Sequence, residues 1–180
     1  MDYAVEKGVA IIMATTGLSE ENRARLVSES EKIPVFFSAN MSLGVNLLID
    51  LAKKATAILE DNFDIEIIER HHNQKIDAPS GTALAIADAI NETCEKSNEY
   101  VYDRHSTRKK RSKNEIGIHA VRGGTIVGQH DVIFAGTDEI IEIKHTATSK
   151  EIFAVGALKA AKFMSGKPSG YYSMSDLFSE

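Results

Sequence analysis

Residues 69–82 read Glu-Arg-His-His-Asn-Gln-Lys-Ile-Asp-Ala-Pro-Ser-Gly-Thr. They follow residues 63–67, in which apolar and polar side chains alternate as they do in a half-buried β-strand. Two imidazoles and one ammonium then fall within five positions, and a serine and a threonine come soon after Pro79. This order predicts a strand, then a loop that carries chemistry, then the beginning of a helix.

The loop suits a small anionic substrate that gains a proton. His71 and His72 can exchange protons near neutral pH, and Lys75 adds a fixed positive charge. Apolar residues at helical spacing over residues 83–94 place Ser80-Gly81-Thr82 in a first helical turn, where backbone N–H groups lack helical partners. The sequence therefore predicts an anion cradle, defined as Ser80, Gly81 and Thr82, that holds a carboxylate without a further cation.

Residues 69–83 resemble the signature E-x-H-H-x-x-K-x-D-A-P-S-G-T-A of the 4-hydroxy-tetrahydrodipicolinate reductase family, also called dihydrodipicolinate reductases. Other segments are similar to segments of the same family. Residues 14–17 resemble its G-T-T-G loop, residues 38–46 its A-A-N-F-S-x-G-V-N segment, and residues 121–130 its V-R-x-G…G-x-H hairpin. Two positions differ, because Ala14 replaces a glycine and Met41 a phenylalanine.

The resemblance implies an oxidoreductase of the diaminopimelate route to lysine, with NADH or NADPH as cofactor. Hydride reaches a conjugated imine ring that carries two carboxylates, and the electron-rich intermediate must then be protonated. By resemblance, His71 is the general acid/base, and Lys75 is the proton donor and charge partner on the imine side. Substrate-binding residues would be His72, Ser80, Gly81 and Thr82. Contacts to the nicotinamide side of the cofactor would be Ala14, Thr15, Thr16, Ser38, Ala39, Asn40 and Met41.

The fold class predicted from the patterns is α/β, combined with an α+β part. The first part alternates strand and helix, as a parallel sheet does, with strands at residues 9–14 and 35–37 and helices at 19–32 and 43–62. In the long helix, Leu47, Leu48, Leu51, Ala55, Ile58 and Leu59 are expected to face inward. At the carboxyl edge of such a sheet, residues 14–16 and 38–41 would lie where ligands bind.

In the second part of the chain, alternating apolar and polar residues predict a mostly antiparallel sheet of about four strands. Its strands are expected at residues 64–69, 115–121, 125–135 and 139–146, with a turn at Gly123-Gly124 and a bulge at Gly128. Ser149 is expected to cap a last helix over residues 152–164, before a short tail at residues 171–178. One face of the sheet would pack on helices, and the other carries enough apolar residues to predict a partner sheet.

Together with the resemblance, these patterns predict three segments. Residues 1–41 would be the C-terminal part of a Rossmann-type dinucleotide-binding domain, residues 42–148 a substrate-binding and oligomerisation domain, and residues 149–180 a helix and tail that return to the first domain. A glycine-rich first turn is not recognised, so an opening segment of ~70–90 residues is expected to be missing. The resemblance also implies a homotetramer in which the sheets meet.

Composition excludes several classes of protein. The chain has 180 residues, of which 43% are hydrophobic, and a formal net charge of -5, which gives no electrostatic reason to expect nucleic acid. The basic run at residues 104–113 is interpreted as a solvated, mobile loop. No apolar run reaches membrane-spanning length, and the single cysteine, Cys94, is interpreted as a core residue, so a reducing cytoplasm is expected.

Three functional interpretations stay open from the sequence. The first is the reductase, and the second is a non-catalytic, oligomerising module that binds a dicarboxylate but no cofactor. The third is a metal-dependent hydrolase built on the adjacent histidines, for which a third ligand at recognisable spacing is missing. Asp77 is expected to support the loop through local side-chain to backbone bonds. Arg122 is a candidate for closing over the site or for a surface ion pair, and His119, His130 and His145 are interpreted as structural.

Overall fold

A computed structural model describes residues 1–178, and the chain divides into two compact units. The helices are α1 (Asp2–Lys7), α2 (Glu20–Glu29), α3 (Leu43–Leu59), α4 (Gly81–Thr93), α5 (Glu151–Met164) and α6 (Met174–Phe178). The strands are β1 (Ile11–Met13), β2 (Pro34–Phe37), β3 (Asp64–His71), β4 (Glu99–Val101), β5 (Glu115–Arg122), β6 (Gly128–Ala135), β7 (Ile140–Ala147) and β8 (Gly170–Tyr172). A parallel sheet and a mixed sheet confirm the predicted fold class.

The first unit contains Met1–Asn46 and the residues from Lys150 onward. Its sheet has the order β1-β2-β8, and both pairings are parallel. Val35 and Phe36 on the middle strand are fully buried. β1 is shorter than the predicted strand over residues 9–14, and it is half-buried because an edge strand has a neighbour on one side only. The tail predicted to pack on this unit supplies its third strand, β8.

Several helix ends in this unit follow local sequence signals. Gly8, at φ 62°, ends α1, and the Ser19 hydroxyl accepts the N–H of Asn22 at 3.2 Å to cap α2. Two predicted helix ends are wrong. α2 ends at Glu29 instead of Lys32, because residues 30–33 form tighter turns before β2, and α5 begins after Lys150 instead of at a Ser149 cap.

A close approach between α5 and Met41 leads to a stability prediction. A Cβ on Gly156 would lie 1.7 Å from the Met41 carbonyl oxygen. Alanine improves helix propensity by about 1 kcal/mol, but overpacking against backbone costs roughly 3 kcal/mol or more. We therefore expect Gly156→Ala to lower the free energy of unfolding by about 2 kcal/mol in urea titrations. Gly81→Ala, where nothing lies within 4 Å of a Cβ, is the matched control, and an equal loss there would contradict the explanation.

The second unit, Leu47–Ser149, contains a five-stranded sheet of order β4-β5-β3-β6-β7. β3 pairs in parallel with β5 and antiparallel with β6, so the expected hairpin between β5 and β6 is wrong. The turn residues instead contact the end of β3 and the loop after it. The Gly123 N–H donates to the His71 carbonyl, and the Gly124 carbonyl accepts from the Asn73 N–H. β6 pairs continuously from Gly128, without the predicted bulge.

Helices α3 and α4 supply the apolar core on one face of this sheet. Its fully buried members include Ile67 and Phe134 from the strands and Ile86 and Ile90 from α4. The predicted inward face of α3 is wrong at Leu47, Leu51 and Ile58, which are 50%, 41% and 81% exposed. The buried stripe of α3 contains Leu48 and Ala52. The helix is apolar around much of its circumference, so residue spacing alone did not identify this stripe.

The basic run at residues 104–113 is attached to the sheet through Arg104, Lys109 and Arg111, contrary to the predicted mobile loop. Arg104 pairs with Glu66 at 2.6 Å and with Glu115 at 2.8 Å. Arg111 pairs with Glu66 at 3.0 Å and with Asp64 at 2.9 Å. Carboxylates on β3 and β5 therefore neutralise part of this run. Cys94 ends α4 and is half-buried, at the edge of the core instead of inside it.

Candidate functional site

The candidate site lies in the second unit, where β3 ends and the loop to α4 begins. β3 ends at His71, and the site loop (residues 72–80) turns at once, with the Lys75 N–H donating to the His72 carbonyl at 3.2 Å. The end of β5 lies alongside, because Arg122 is the register partner of His71. β6 begins at Gly128 on the other side of β3. Three strands thus place side chains around one loop.

Glu69 is the buried carboxylate at the centre of this arrangement. Its side chain is fully buried and its two oxygens accept four hydrogen bonds. Arg122 donates two of them, at 2.8 Å each, the Ser80 N–H donates one at 2.9 Å, and His71 Nδ1 lies at 2.7 Å. Burial opposes the ionisation of Glu69, but these partners outweigh it and hold its pKa below the ordinary value. The carboxylate is therefore charged at neutral pH.

His71 is the predicted acid/base residue, and its ring is held from two sides. Nδ1 faces Glu69, while Nε2 lies beside Gly128, where a Cβ would come within 3.2 Å of it. Glycine at position 128 therefore leaves room for this ring. The His71 and His130 rings meet edge to face with centroids 5.3 Å apart. His72, the other predicted histidine, is half-buried just past the end of the strand, where the backbone turns as the sequence predicted.

The anion cradle differs from the prediction in how its donors are used. α4 begins where the sequence predicted, but Ser80 is its N-cap, and the Ser80 hydroxyl accepts the Ala83 N–H at 3.2 Å. However, Ser80 is only 2% exposed, and its own N–H donates to Glu69. The chain itself therefore satisfies these two donors, and the Gly81 backbone also hydrogen-bonds the Asp77 carboxylate. Gly81 is exposed and Thr82 is half-buried, so the outer part of the cradle lies nearest to solvent.

Lys75 pairs with a carboxylate of its own loop. Its ammonium lies 2.9 Å from Asp77 Oδ1, and it holds the pKa of that carboxyl below the usual range. Arg122 also donates to the Asp77 carbonyl at 2.6 Å. Asp77 supports the loop, as predicted, but an ion pair contributes to this as well as backbone bonds. Arg122 is neither a free lid nor a simple surface ion pair, because it joins β5 to β3 and to the site loop.

The sequence interpretation missed Glu69 and His130. His130 was interpreted as structural, yet its Nε2 lies 3.1 Å from the Ser80 hydroxyl and its ring touches His71. Glu69 is two residues before His71 on a strand, so period-two alternation places both on one face. That signal was present in the sequence. By contrast, His119 binds Glu66 at 2.7 Å, as a structural histidine would.

His130 gives a pH-dependent stability prediction. The pKa of His130 is lowered from 6.5 to about 4, mainly by burial and to a smaller extent by the charge of His71. Protonation therefore favours the unfolded chain, so the stability contribution is complete above pH 6.5 and is lost as the pH falls towards about 4. We expect the loss to be of the order of 3 kcal/mol, measured as urea unfolding at several pH values. In His130→Gln this drop should shrink, and an unchanged drop would contradict the assignment. The exposed His105→Gln is the control.

The residues predicted to contact a nicotinamide lie in the first unit. β1 and β2 are parallel and in register at Met13 and Phe37, so the loops that follow them leave the same edge of the sheet. Ala14, Thr15, Thr16 and Ala39 are exposed, and Ser38 and Asn40 are half-buried. The Ser38 hydroxyl donates to the Asn40 carbonyl at 2.7 Å. Met41 differs from the others, because its side chain is 3% exposed and lies in the apolar cluster below the loop.

Residues 1–178 show neither a metal cluster nor a membrane-spanning helix. Within that range, no group of three or more His, Cys, Asp or Glu side chains is arranged to hold a metal ion. None of the helices in the same range has both the length and the apolar character that crossing a membrane requires.

Two protein-family models together match most of this chain. The family model for the dihydrodipicolinate reductase N-terminus matches residues 1–41, and the model for the C-terminus matches residues 44–178. The chain belongs to the dihydrodipicolinate reductase family. This membership confirms the resemblance stated from the signature at residues 69–83.

Members of the dihydrodipicolinate reductase family match almost all of this chain. The 4-hydroxy-tetrahydrodipicolinate reductase of Caldanaerobacter subterraneus subsp. tengcongensis is 59% identical over 97% of the chain, which covers 69% of that relative. The one from Clostridium tetani is 56% identical over 97% of the chain and 68% of the relative. The solved dipicolinate-bound dihydrodipicolinate reductase from Paenisporosarcina sp. TG-14 has a TM-score of 0.78 at 24% identity, over 94% of this chain and 64% of that one. This last likeness concerns the fold.

Proposed function

We propose that the chain serves in the NADH- or NADPH-dependent reduction of 4-hydroxy-tetrahydrodipicolinate to tetrahydrodipicolinate, in the diaminopimelate route to lysine. We place this reaction in the cytoplasm. The observation that carries it is the 59% identity to a reductase of that name, together with a loop that brings His71, Lys75 and the anion cradle into one unit. The likeness to a dipicolinate-bound structure supports a ring dicarboxylate as the ligand.

The residues of the second unit take the roles that the family resemblance implies. Lys75 supplies positive charge and a proton on the imine side of the substrate, and it exchanges its pairing with Asp77 for one with the ligand. His71 is the general acid/base that exchanges a proton during the reaction. His72 and the outer part of the anion cradle, Gly81 and Thr82, bind a substrate carboxylate, while Ser80 holds the helix beginning in place.

The first unit fits the nicotinamide end of the cofactor. The exposed loop at residues 14–16 and the neighbouring turn at residues 38–40 follow parallel strands at one sheet edge, which is where α/β sheets bind ligands. Met41 supports that turn from inside the cluster instead of contacting the ligand through its side chain. When bound, the cofactor supplies the hydride.

A homotetramer is part of the proposal, formed through the sheet face opposite α3 and α4. That face carries apolar side chains, including Val121 at 45% exposure and Ile140 at 64% exposure. It also carries ion pairs, because Asp131 pairs with Arg70 and Lys144. A second copy of this sheet presents the same mixture of apolar and charged side chains, so it is the partner that we propose for this face. Light scattering coupled to gel filtration measures the oligomer mass directly.

Titration calorimetry separates this proposal from the second candidate, a dicarboxylate-binding module without cofactor. The 180-residue chain would be titrated with pyridine-2,6-dicarboxylate and with NADH and NADPH. Binding of the acid and of a cofactor supports the reductase, whereas binding of the acid alone supports the module. If neither binds, both candidates are wrong. Metal analysis of the purified chain tests the hydrolase interpretation.

Thr82→Val should weaken dicarboxylate binding more than cofactor binding. Valine keeps the shape of threonine but removes the hydroxyl, and a hydrogen bond to a charged ligand contributes about 1.5–3 kcal/mol, or roughly 10- to 100-fold in affinity. Calorimetry with pyridine-2,6-dicarboxylate and NADH measures both losses. Equal losses for the two ligands would contradict the assignment of Thr82 to the anion cradle. Thr107→Val, in the exposed basic loop, is the matched control.

A further inference from the structure

We infer that Glu69 is a positioning residue: its buried carboxylate fixes the tautomer of His71, so that Nε2 is the ring nitrogen left to accept a proton. The inference deepens the proposed function, because it specifies which atom of the acid/base residue acts. It rests on the geometry around Glu69, to which neither the signature nor the family comparison gives a role.

The hydrogen-bond inventory of Glu69 determines the tautomer. Three of its four partners can only donate: the two nitrogens of Arg122 and the backbone N–H of Ser80. The fourth, His71 Nδ1, lies 2.7 Å from Oε2, and a carboxylate that is ionised can only accept. Nδ1 must therefore carry the hydrogen, and in neutral His71 the lone pair is on Nε2.

The surroundings of His71 fit this assignment. Nε2 lies over Gly128, where the missing side chain leaves space. The other titratable and charged groups that face the ring are Arg122 from β5, which is bound to Glu69, and His130 from β6, which stays neutral at neutral pH. Neither competes with Glu69 for Nδ1. The same carboxylate holds the Ser80 N–H, so it positions the imidazole and the anion cradle together.

Glutamine at position 69 should invert the tautomer. Its side chain has one oxygen and one NH2 group, so it cannot accept from every donor that Glu69 serves. The backbone N–H of Ser80 cannot become an acceptor, but Nδ1 of His71 can if its proton moves to Nε2. The amide oxygen should therefore face Ser80 and the NH2 group His71. In the serine-protease triad, the corresponding carboxylate-to-amide change also leaves the wrong tautomer.

The test is 15N NMR of the imidazole rings in the full 180-residue chain, at a pH where His71 is neutral. We expect Nδ1–H in the wild type and in Glu69→Asp, and Nε2–H in Glu69→Gln. A purely structural role of Glu69 would leave the tautomer unchanged when the fold is intact, as judged by the amide spectrum. An unchanged tautomer in Glu69→Gln would overturn the inference, and so would Nε2–H in the wild type, which needs no variant at all.

A second variant keeps the test decisive if Glu69→Gln does not fold. Arg122→Met removes two donors but leaves Glu69 facing His71 and Ser80, so Nδ1–H should persist. Inversion in that variant would assign the tautomer to Arg122 and overturn the inference. The readout needs no turnover, so it is independent of the proposed function, which fails instead if the dicarboxylate and the cofactor do not bind.

Discussion

Replacing His71 by glutamine should lower turnover by about 10²- to 10⁴-fold, the range contributed by one positioned acid/base group. Glutamine can keep a hydrogen bond to Glu69 and is close to histidine in size, but it does not exchange protons near neutral pH. The loss should appear in kcat, with a small change in KM, because substrate binding relies on other groups. Steady-state kinetics of a full-length relative, substituted at the aligned position, measure it.

Two controls distinguish chemistry from folding in this experiment. His105 is exposed in the basic loop, so His105→Gln makes the same chemical change away from the site and should leave turnover unchanged. Urea unfolding of His71→Gln should remain close to that of the wild type. Wild-type turnover in the His71 variant would refute its role as the acid/base residue.

Replacing Lys75 by alanine is expected to have the second largest effect, a loss of turnover of at least about 10²-fold. The variant removes a proton donor and the charge opposite the developing negative charge of the intermediate. Stability should change little, since the Asp77 side chain is 59% exposed, although that of Lys75 is 22% exposed, and pairs with an exposed partner contribute about 0–1 kcal/mol. Turnover and unfolding measured on the same preparation separate these effects.

The partner of Lys75 provides the matched control. Asp77→Asn breaks the same ion pair but keeps the ammonium, so turnover should survive. Equal losses in Lys75→Ala and Asp77→Asn would mean that the pair only shapes the loop. Lys75→Arg then tests proton donation, because arginine keeps the charge but does not give up a proton in proteins. A loss in that variant supports donation, and full activity would leave Lys75 as a charge partner alone.

Local features of the fold were predictable from the sequence because their causes lie within a few residues. The beginning of α4 near Ser80 with its apolar spacing, and the alternation in β3, were both predicted. Each depends on a cap, a period or a backbone angle that neighbouring residues determine. The membership of the family was predicted in the same way, from a continuous signature.

Long-range features were harder to predict. The position of β3 between β5 and β6 depends on pairing across more than fifty residues, and a Gly-Gly turn suggested a hairpin that does not form. The predicted inward face of α3 was wrong at Leu47 and Leu51, because apolar residues lie around much of the circumference of this helix. Within the site, the positions of His71 at the end of β3 and of Lys75 on the loop that follows were predictable from the sequence. The contact of His130 with Ser80 did not, since it joins residues fifty positions apart.

The discontinuity of the first unit has a consequence for biosynthesis. β8 pairs with β2 but is synthesised only after the whole of the second unit, whereas β1 and β2 are synthesised before that unit. Residues 47–149, which form the second unit, are contiguous. Domains usually fold from the N-terminal end during translation. Here the order should be reversed, with the inserted unit able to fold on the nascent chain while β1 and β2 wait for their third strand.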